Sequence, residues 1–561
     1  MTQFAALLTL AALISQPQPT AAEPAAQPAP AITLQPTEID AVGWALGALA
    51  TYPADAQPFI RFVWIPPWAS AEWQGVIDFA VNAAASHSRT LYRGDRHANG
   101  WLLAYDLRRL AGGDRLAKLV ETWDEIALRD PYFHVTESNV EVIPSTSSNS
   151  SRSGSSSSST TKRTRKVAIL APHLSAAIAQ NAADPERSER IDVLVTQLTR
   201  STGAIYRADW FLEQLLTSDV GRYPEFRQIE FAATVQGESP LQTHLAKAGF
   251  SIEDALDAGG EKACWVERSG VTGKERIVLA VFGPGSRTPL VSTFDLNDAT
   301  TRSADQFSRN LVNFAAKSQA SELFVPLPNG LVEYLLTDGA GNFQRTAPDF
   351  VVSDSTKPDG FTSRLEMGMS CIVCHHPDNG YKTAKNDLDY AIGSDVDFVG
   401  EDVSITRRGQ TVKLTRQEVV DLVAGRYAEG LLGGDNVLAR SRRDYELAVA
   451  RITDYEATAD GLTGVQQLGV TIQKIYHDYR YGLVDAQRIC LELGVRIADG
   501  VDPLPVLRQL VPAPAAGTVV DPKFGFVRNG LKLNRHSYEA LHNDFAAAAA
   551  VTRGEITEVK K

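Results

Sequence analysis

Cys371-Ile372-Val373-Cys374-His375 is the stretch that sets what the C-terminal part of this chain must be, because C-x-x-C-H is the pattern that attaches haem covalently to protein. Two cysteines three positions apart straddle one edge of a porphyrin, and each thiol adds across a vinyl group as a thioether. The next residue turns its imidazole under the ring and reaches the iron. Two other readings compete for these cysteines. Zinc would take His375 or His376 as a third ligand, but it usually wants a second pair at short spacing, and none is present. A dithiol redox motif expects a thioredoxin-like βαβ context and makes no use of the histidine. The sequence therefore points to one haem c, with Cys371 and Cys374 as attachment residues and His375 as proximal iron ligand.

Around the motif the pattern is helical. Phe361, Leu365 and Met369 fall at i, i+4 and i+8 and predict a helix leading into the motif. Gln417 to Ala424, stopped by Gly425, then Tyr445 to Tyr455, Val465 to Tyr479 and Ala486 to Leu493 predict further helices. Residues 359–561 are expected to form a mostly α-helical cytochrome c-like domain. Its sixth iron ligand is not obvious. The only methionines are Met1, Met367 and Met369, and the last two sit beside the motif, where they read as core contacts. His376 cannot reach the opposite face of the same iron. His477, in Ile475-Tyr476-His477-Asp478-Tyr479, is the candidate distal ligand, against the plainer reading of a polar position on an amphipathic helix. His536 and His542 are weaker candidates. An open iron position is the alternative, and it would admit small ligands or peroxide.

Upstream, the expected class is α+β. After a Pro/Ala/Gln-rich leader at 23–38, residues 39–143 read as a small α/β domain. Phe59 to Ile65 is a strand ended by Pro66-Pro67, and Trp101 to Leu107 is a second. Ser70 is placed to cap a helix with Trp73, Val76, Ile77, Ala80 and Ala84 on one face, and Leu116 to Ile126 marks another helix. Residues 144–166, Ser/Thr-rich and closed by Lys162, Arg163, Arg165 and Lys166, read as a linker or long loop. An α+β domain is expected over 167–358. It holds a strand at Val167 to Leu170, a helix around Ala208 to Phe211, a hairpin over Cys264 to Phe282, and two strands around Pro328-Asn329-Gly330. Gly270 to Glu275 only mimics a phosphate loop, since Arg268 and Glu275 stand where Gly and Ser or Thr are needed.

Composition narrows the function. With 67 acidic and 55 basic residues the net charge is −12, which argues against nucleic acid, whose phosphates reward a clustered basic surface. Phe4 to Ile14 is apolar except for Thr9, and Thr20-Ala21-Ala22 offers small residues to a signal peptidase, so residues 1–22 read as a signal peptide. The run is too short to span a bilayer, and no later run reaches membrane length. The expected location is periplasmic or secreted. Cys264 and Cys490 remain over; there they are either one disulfide or two buried thiols.

The run Pro328-Asn329-Gly330-Leu331, Tyr334 to Asp338 with Gly341-Asn342, Val352-Ser353-Asp354, Lys357-Pro358-Asp359 and Gly368-Met369-Ser370-Cys371 resembles a family of large secreted bacterial c-type cytochromes with one haem motif. Ala204 to Phe211 is similar to an upstream segment of that family. The resemblance covers about 204–380, and the Ser tract looks like an insertion. It implies haem binding and electron transfer outside the cytoplasm, with an unidentified redox partner protein. The leading expectation is thus an electron-transfer protein rather than a catalyst. The alternatives are a peroxidase-like haem oxidoreductase, or a partner- or polymer-binding module with an appended haem domain.

Overall fold

Ile60–Trp64 is buried at every position, as a strand covered on both faces must be, and the first layer is built around it. The structure, a computed structural model, describes residues 32–86, 88–142, 163–181, 205–217, 262–266, 276–281, 290–296, 318–338, 342–344, 346–347, 365–378, 380, 403–407, 410–414, 437–455, 462–513, 525 and 527–553. In chain order this layer holds β1 (Ile32–Leu34), α1 (Glu38–Leu49), β2 (Ile60–Trp64), α2 (Trp73–Ala84), β3 (Asp95–His97), β4 (Leu102–Asp106) and α3 (Asp114–Ala127). It continues with β5 (His134–Val142), β6 (Arg163–Leu170), α4 (Pro172–Asn181), β7 (Ile205–Arg207) and α5 (Ala208–Leu216). The sheet order is β3-β4-β2-β7, with β7 parallel to β2 and the other pairs antiparallel. Both expected strands and both expected helices are present here. Ser70 does not cap α2, however. The residue at the cap is Glu72; the Ser70 hydroxyl meets the Glu72 carboxylate, and the Ser70 carbonyl accepts from Trp73 N in the turn before the helix.

A second sheet is an antiparallel meander: β8 (Lys262–Val266), β9 (Arg276–Val281), β10 (Leu290–Leu296), β11 (Ser318–Pro326) and β12 (Val332–Asp338), paired in that sequence. Both hairpins read from the sequence, β8–β9 and β11–β12, form as antiparallel pairs. At the β11–β12 turn Gly330 takes φ +88°, and Asn329 anchors the turn by accepting from Leu331 N and donating to the Asn82 carbonyl of α2. This side-chain amide docks the meander on the first layer.

The remaining elements are α6 (Met369–His375), β13 (Val403–Arg407), β14 (Gln410–Leu414), α7 (Val437–Thr453), α8 (Gly464–Arg480), α9 (Ala486–Glu492), β15 (Val495–Ile497), α10 (Leu504–Leu510) and α11 (Arg535–Thr552). Helices α7, α8 and α9 lie where their apolar periodicity puts them; the helix expected over Gln417 to Ala424 falls outside the described residues. The chain is α+β, and its C-terminal third carries the β13–β14 hairpin and β15 beside its helices.

The expected division into consecutive domains does not match the pairing. The Ser-rich tract, read as a linker over 144–166, joins two strands that pair with each other, His134 opposite Leu170 and Val142 opposite Arg163. Strand β7, from the expected middle domain, completes the first sheet, and β1, from the expected leader, pairs with β15. One cluster of buried side chains runs from Ala41 to Ala549.

A buried ionic knot joins these layers. Glu492 accepts from Arg207 Nη1 at 2.8 Å, Arg488 Nε at 2.6 Å and Arg535 Nη1 at 2.8 and 3.0 Å. Asp209 takes Arg207 Nε at 2.8 Å, and the Arg207 guanidinium lies 3.3 Å from the centre of the Tyr132 ring. Burial alone would raise the Glu492 pKa, but the three arginines hold it well below the usual carboxylate range. Glu492→Gln leaves Arg207 and Arg488 with Asp209 and takes away the carboxylate of Arg535, and is expected to lower stability by about 3–5 kcal/mol, read as the urea midpoint at fixed m.

His173 of α4 is buried, and neither ring nitrogen has a hydrogen-bond partner among the described residues. Burial pushes its pKa down to about 4. The unfolded chain takes a proton on this residue below about 6.5 while the folded chain refuses it, so stability drains away as pH falls from there toward 4. His173→Leu removes that contribution. Its gain over the parent in urea midpoint is expected to be larger at pH 5 than at pH 7.

Candidate functional site

The motif helix α6 is seven residues long, and it begins where the backbone breaks. Gly368 sits at φ +82° and ψ −77°, bridges to Thr217, and leaves no room for a Cβ against the Leu216 carbonyl. Glu366 bridges to Thr346. The helix expected through Leu365 into the motif is therefore absent at 365–368, where the chain approaches in bridged, non-helical form; Phe361 lies outside the described residues. Met367 Sδ accepts from Leu336 N at 3.2 Å and Met369 is fully buried, so both are core contacts.

Within α6, Cys371 and Cys374 are one helical turn apart and both are free thiols. Cys371 is wholly buried and Cys374 is half-buried. Burial pushes the Cys371 thiol well up, and the Glu322 carboxylate adds to the shift. A reactive redox dithiol needs the opposite, a thiol lowered toward the thiolate.

His375 faces the meander. Its Nε2 is 3.2 Å from Glu322 Oε1 of β11, Phe324 meets the ring edge-on at 4.6 Å, and Tyr334 of β12 stacks at 5.7 Å. The Tyr334 hydroxyl donates to the Gly380 carbonyl just past the motif. His375 Nδ1 is buried and has no hydrogen-bond partner among the described residues. One imidazole nitrogen held by a carboxylate that orients the ring, with the other left bare, is an arrangement compatible with a metal-ligating histidine. The donors thus suit haem: two reduced thiols at the attachment spacing and one oriented imidazole. Among the described residues no group of three or more His, Cys, Asp or Glu converges as a metal cage.

His376 turns the other way. Its Nε2 lies 2.8 Å from the Tyr445 hydroxyl of α7, and Phe79 of α2 meets the ring edge-on. Burial pushes its pKa down to about 3, with His375 adding to the shift, so it is a neutral core residue. Of the other candidates, His477 has Tyr476 and Tyr481 as ring neighbours, whereas His375 has Phe324 and Tyr334. His536 is exposed. His542 is a core residue of α11, 3.1 Å from the Tyr538 hydroxyl and 3.4 Å from Glu38. Cys490 is a buried free thiol pushed up to about 12 by burial, and the side chain of Cys264 is outside the described residues.

Glu322, Phe324, Tyr334 and Tyr445 are the site residues that sequence reasoning missed. Glu322 left a signal, a lone carboxylate heading the apolar run Leu323-Phe324-Val325. Among the described residues no helix is long and apolar enough to cross a membrane. Residues 1–22, read as a signal peptide, lie outside the described part. Comparison with protein-family models, curated proteins and solved structures finds no match to this chain.

Helix α8 reaches the motif because Gly469 lets it: a Cβ there would overlap the His376 Cβ. Gly469→Ala is expected to push α8 off the motif helix and to cost roughly 1–3 kcal/mol, seen as a lower urea midpoint and a changed near-ultraviolet signal from Tyr476 and Tyr445.

Proposed function

We propose that this chain is an exported c-type cytochrome that carries one covalent haem and transfers electrons to or from a partner protein outside the cytoplasm. The observation that carries the reading is the imidazole of His375, with one nitrogen on Glu322 and the other buried and bare, one residue past two free thiols at attachment spacing. Cys371 and Cys374 would hold the haem and His375 would bind its iron, the haem supplying a one-electron couple. Glu322 orients the imidazole, Phe324 and Tyr334 confine it between aromatic faces, and the burial of all three keeps bulk water from the ring. The helices behind the motif would then form its cytochrome c-like part.

Export agrees with the apolar run Phe4 to Ile14 and with the compartment in which haem c is attached. The Glu322 contact also favours a second reading, a peroxidase-like haem oxidoreductase, because a carboxylate on its outer nitrogen would strengthen an imidazole's donation to iron. His477 is not needed as a distal ligand in that case.

The test is a pyridine haemochrome spectrum with a haem-stained denaturing gel, on protein made in a host with haem c maturation. Haem that survives denaturation in the parent and is weakened or lost in Cys371→Ala is the expected result; a parent without haem overturns the reading. A shift of the haem spectrum on adding cyanide or peroxide would favour the oxidoreductase over the carrier.

A further inference from the structure

Away from the motif the structure contains a cleft that the haem reading leaves unused. It lies between the start of α2, strand β3 and the end of α7, and has a volume of about 630 Å³. Gly75 brings α2 against Thr453, where a Cβ would come within 3.0 Å of the carbonyl oxygen, so the wall between the two helices is tight. Three arginines line the cleft, in an otherwise acidic chain. They are held differently. Arg93 commits its guanidinium to both oxygens of Asp454 and to the Arg451 carbonyl. Arg96 is fixed by buried Asp78, by the Gly94 carbonyl and by Gln74. Arg109 has no ion pair or hydrogen bond among the described residues; it lies over the Tyr92 ring, 3.8 Å from its centre.

The charges decide what this cleft would take. Arg93 is balanced by Asp454, and Arg96 by Asp78. Asp95, also in the lining, accepts from the Tyr52 hydroxyl through one oxygen and keeps the other. A dianion such as phosphate gains little from so balanced a site, whereas one carboxylate can pair with the unspent guanidinium of Arg109. The rest of the lining is a mixture of acceptors and donors, Asp95, Gln74 and the remaining Arg96 hydrogens, which suits hydroxyl groups that both give and take hydrogen bonds. Tyr455 adds a half-buried ring tied down by its hydroxyl to the Glu72 carbonyl. Asp454, in the lining, takes φ +58°, a backbone conformation that costs a non-glycine residue energy.

We infer that this cleft binds a polyhydroxylated monocarboxylate of the sugar-acid class, with its carboxylate on Arg109 and its hydroxyls on Asp95, Gln74 and Arg96. The inference does not rest on haem. Titration calorimetry of the full chain, with and without haem, would use glucuronate as probe, with glucose and inorganic phosphate as comparators. Glucuronate is expected to bind in the millimolar range or tighter, and Arg109→Ala to weaken it about tenfold or more. Arg109 is exposed, so the variant should keep its fold, which circular dichroism checks. Asp95→Asn, as a second variant, should weaken glucose and glucuronate alike. Glucose binding as well as glucuronate, phosphate binding better than glucuronate, an unchanged affinity in folded Arg109→Ala, or no glucuronate binding would each overturn the inference.

Discussion

Glu492 is a single carboxylate that gathers three guanidiniums in the interior, and the position of the motif depends on it. Such a group is tolerated only when each charge has its partner, and here each partner comes from a different place. Arg207 ends β7, Arg488 lies one turn before Glu492 on α9, and Arg535 opens α11. Fixing Arg207 fixes β7 in register beside β2, and α5 begins at the very next residue. The far end of α5 supplies the Leu216 carbonyl and the Thr217 bridge that meet Gly368. The start of α6 is thus tied to the ionic knot through one strand and one helix.

Helix α6 is wedged between two unlike surfaces. His375 turns to the meander and finds a carboxylate and two aromatic rings, while His376, one residue on, turns to α2, α7 and α8 and finds a hydroxyl and close packing. Adjacent residues on a helix point about 100° apart, so a single turn can serve both surfaces. Two adjacent histidines therefore meet unlike surroundings, His375 a carboxylate and His376 a hydroxyl.

Several elements were legible because their pattern answers to one local rule. Trp73 to Ala84 and Val465 to Tyr479 repeat their apolar residues at helical spacing, and both are helices. Cys264 to Phe282 and the strands around Pro328-Asn329-Gly330 alternate and turn as hairpins do. The rule failed where one spacing fits two structures. Phe361, Leu365 and Met369 are four apart, which suits a helix, but an even spacing also suits an extended chain, and the positive φ of Gly368 excludes the helix. Helix α11 escaped notice because much of its buried face is alanine, together with Arg535 and His542. Buried polar residues of that kind look like surface positions until their partners are known.

The sequence by itself determined the motif on which the proposed chemistry rests: two cysteines and a histidine at haem-attachment spacing, which no packing is needed to recognise. It determined the α+β class as well, through local periodicity. Only the tertiary structure decided which residues serve the motif, since Glu322 and Tyr334 on the meander reach His375 through pairing across long stretches of chain. It also decided that the Ser-rich tract joins the two strands of an antiparallel pair instead of separating domains. The reason is physical: spacing along the chain is encoded residue by residue, whereas strand partners and buried ion pairs are chosen by the energy of the whole core.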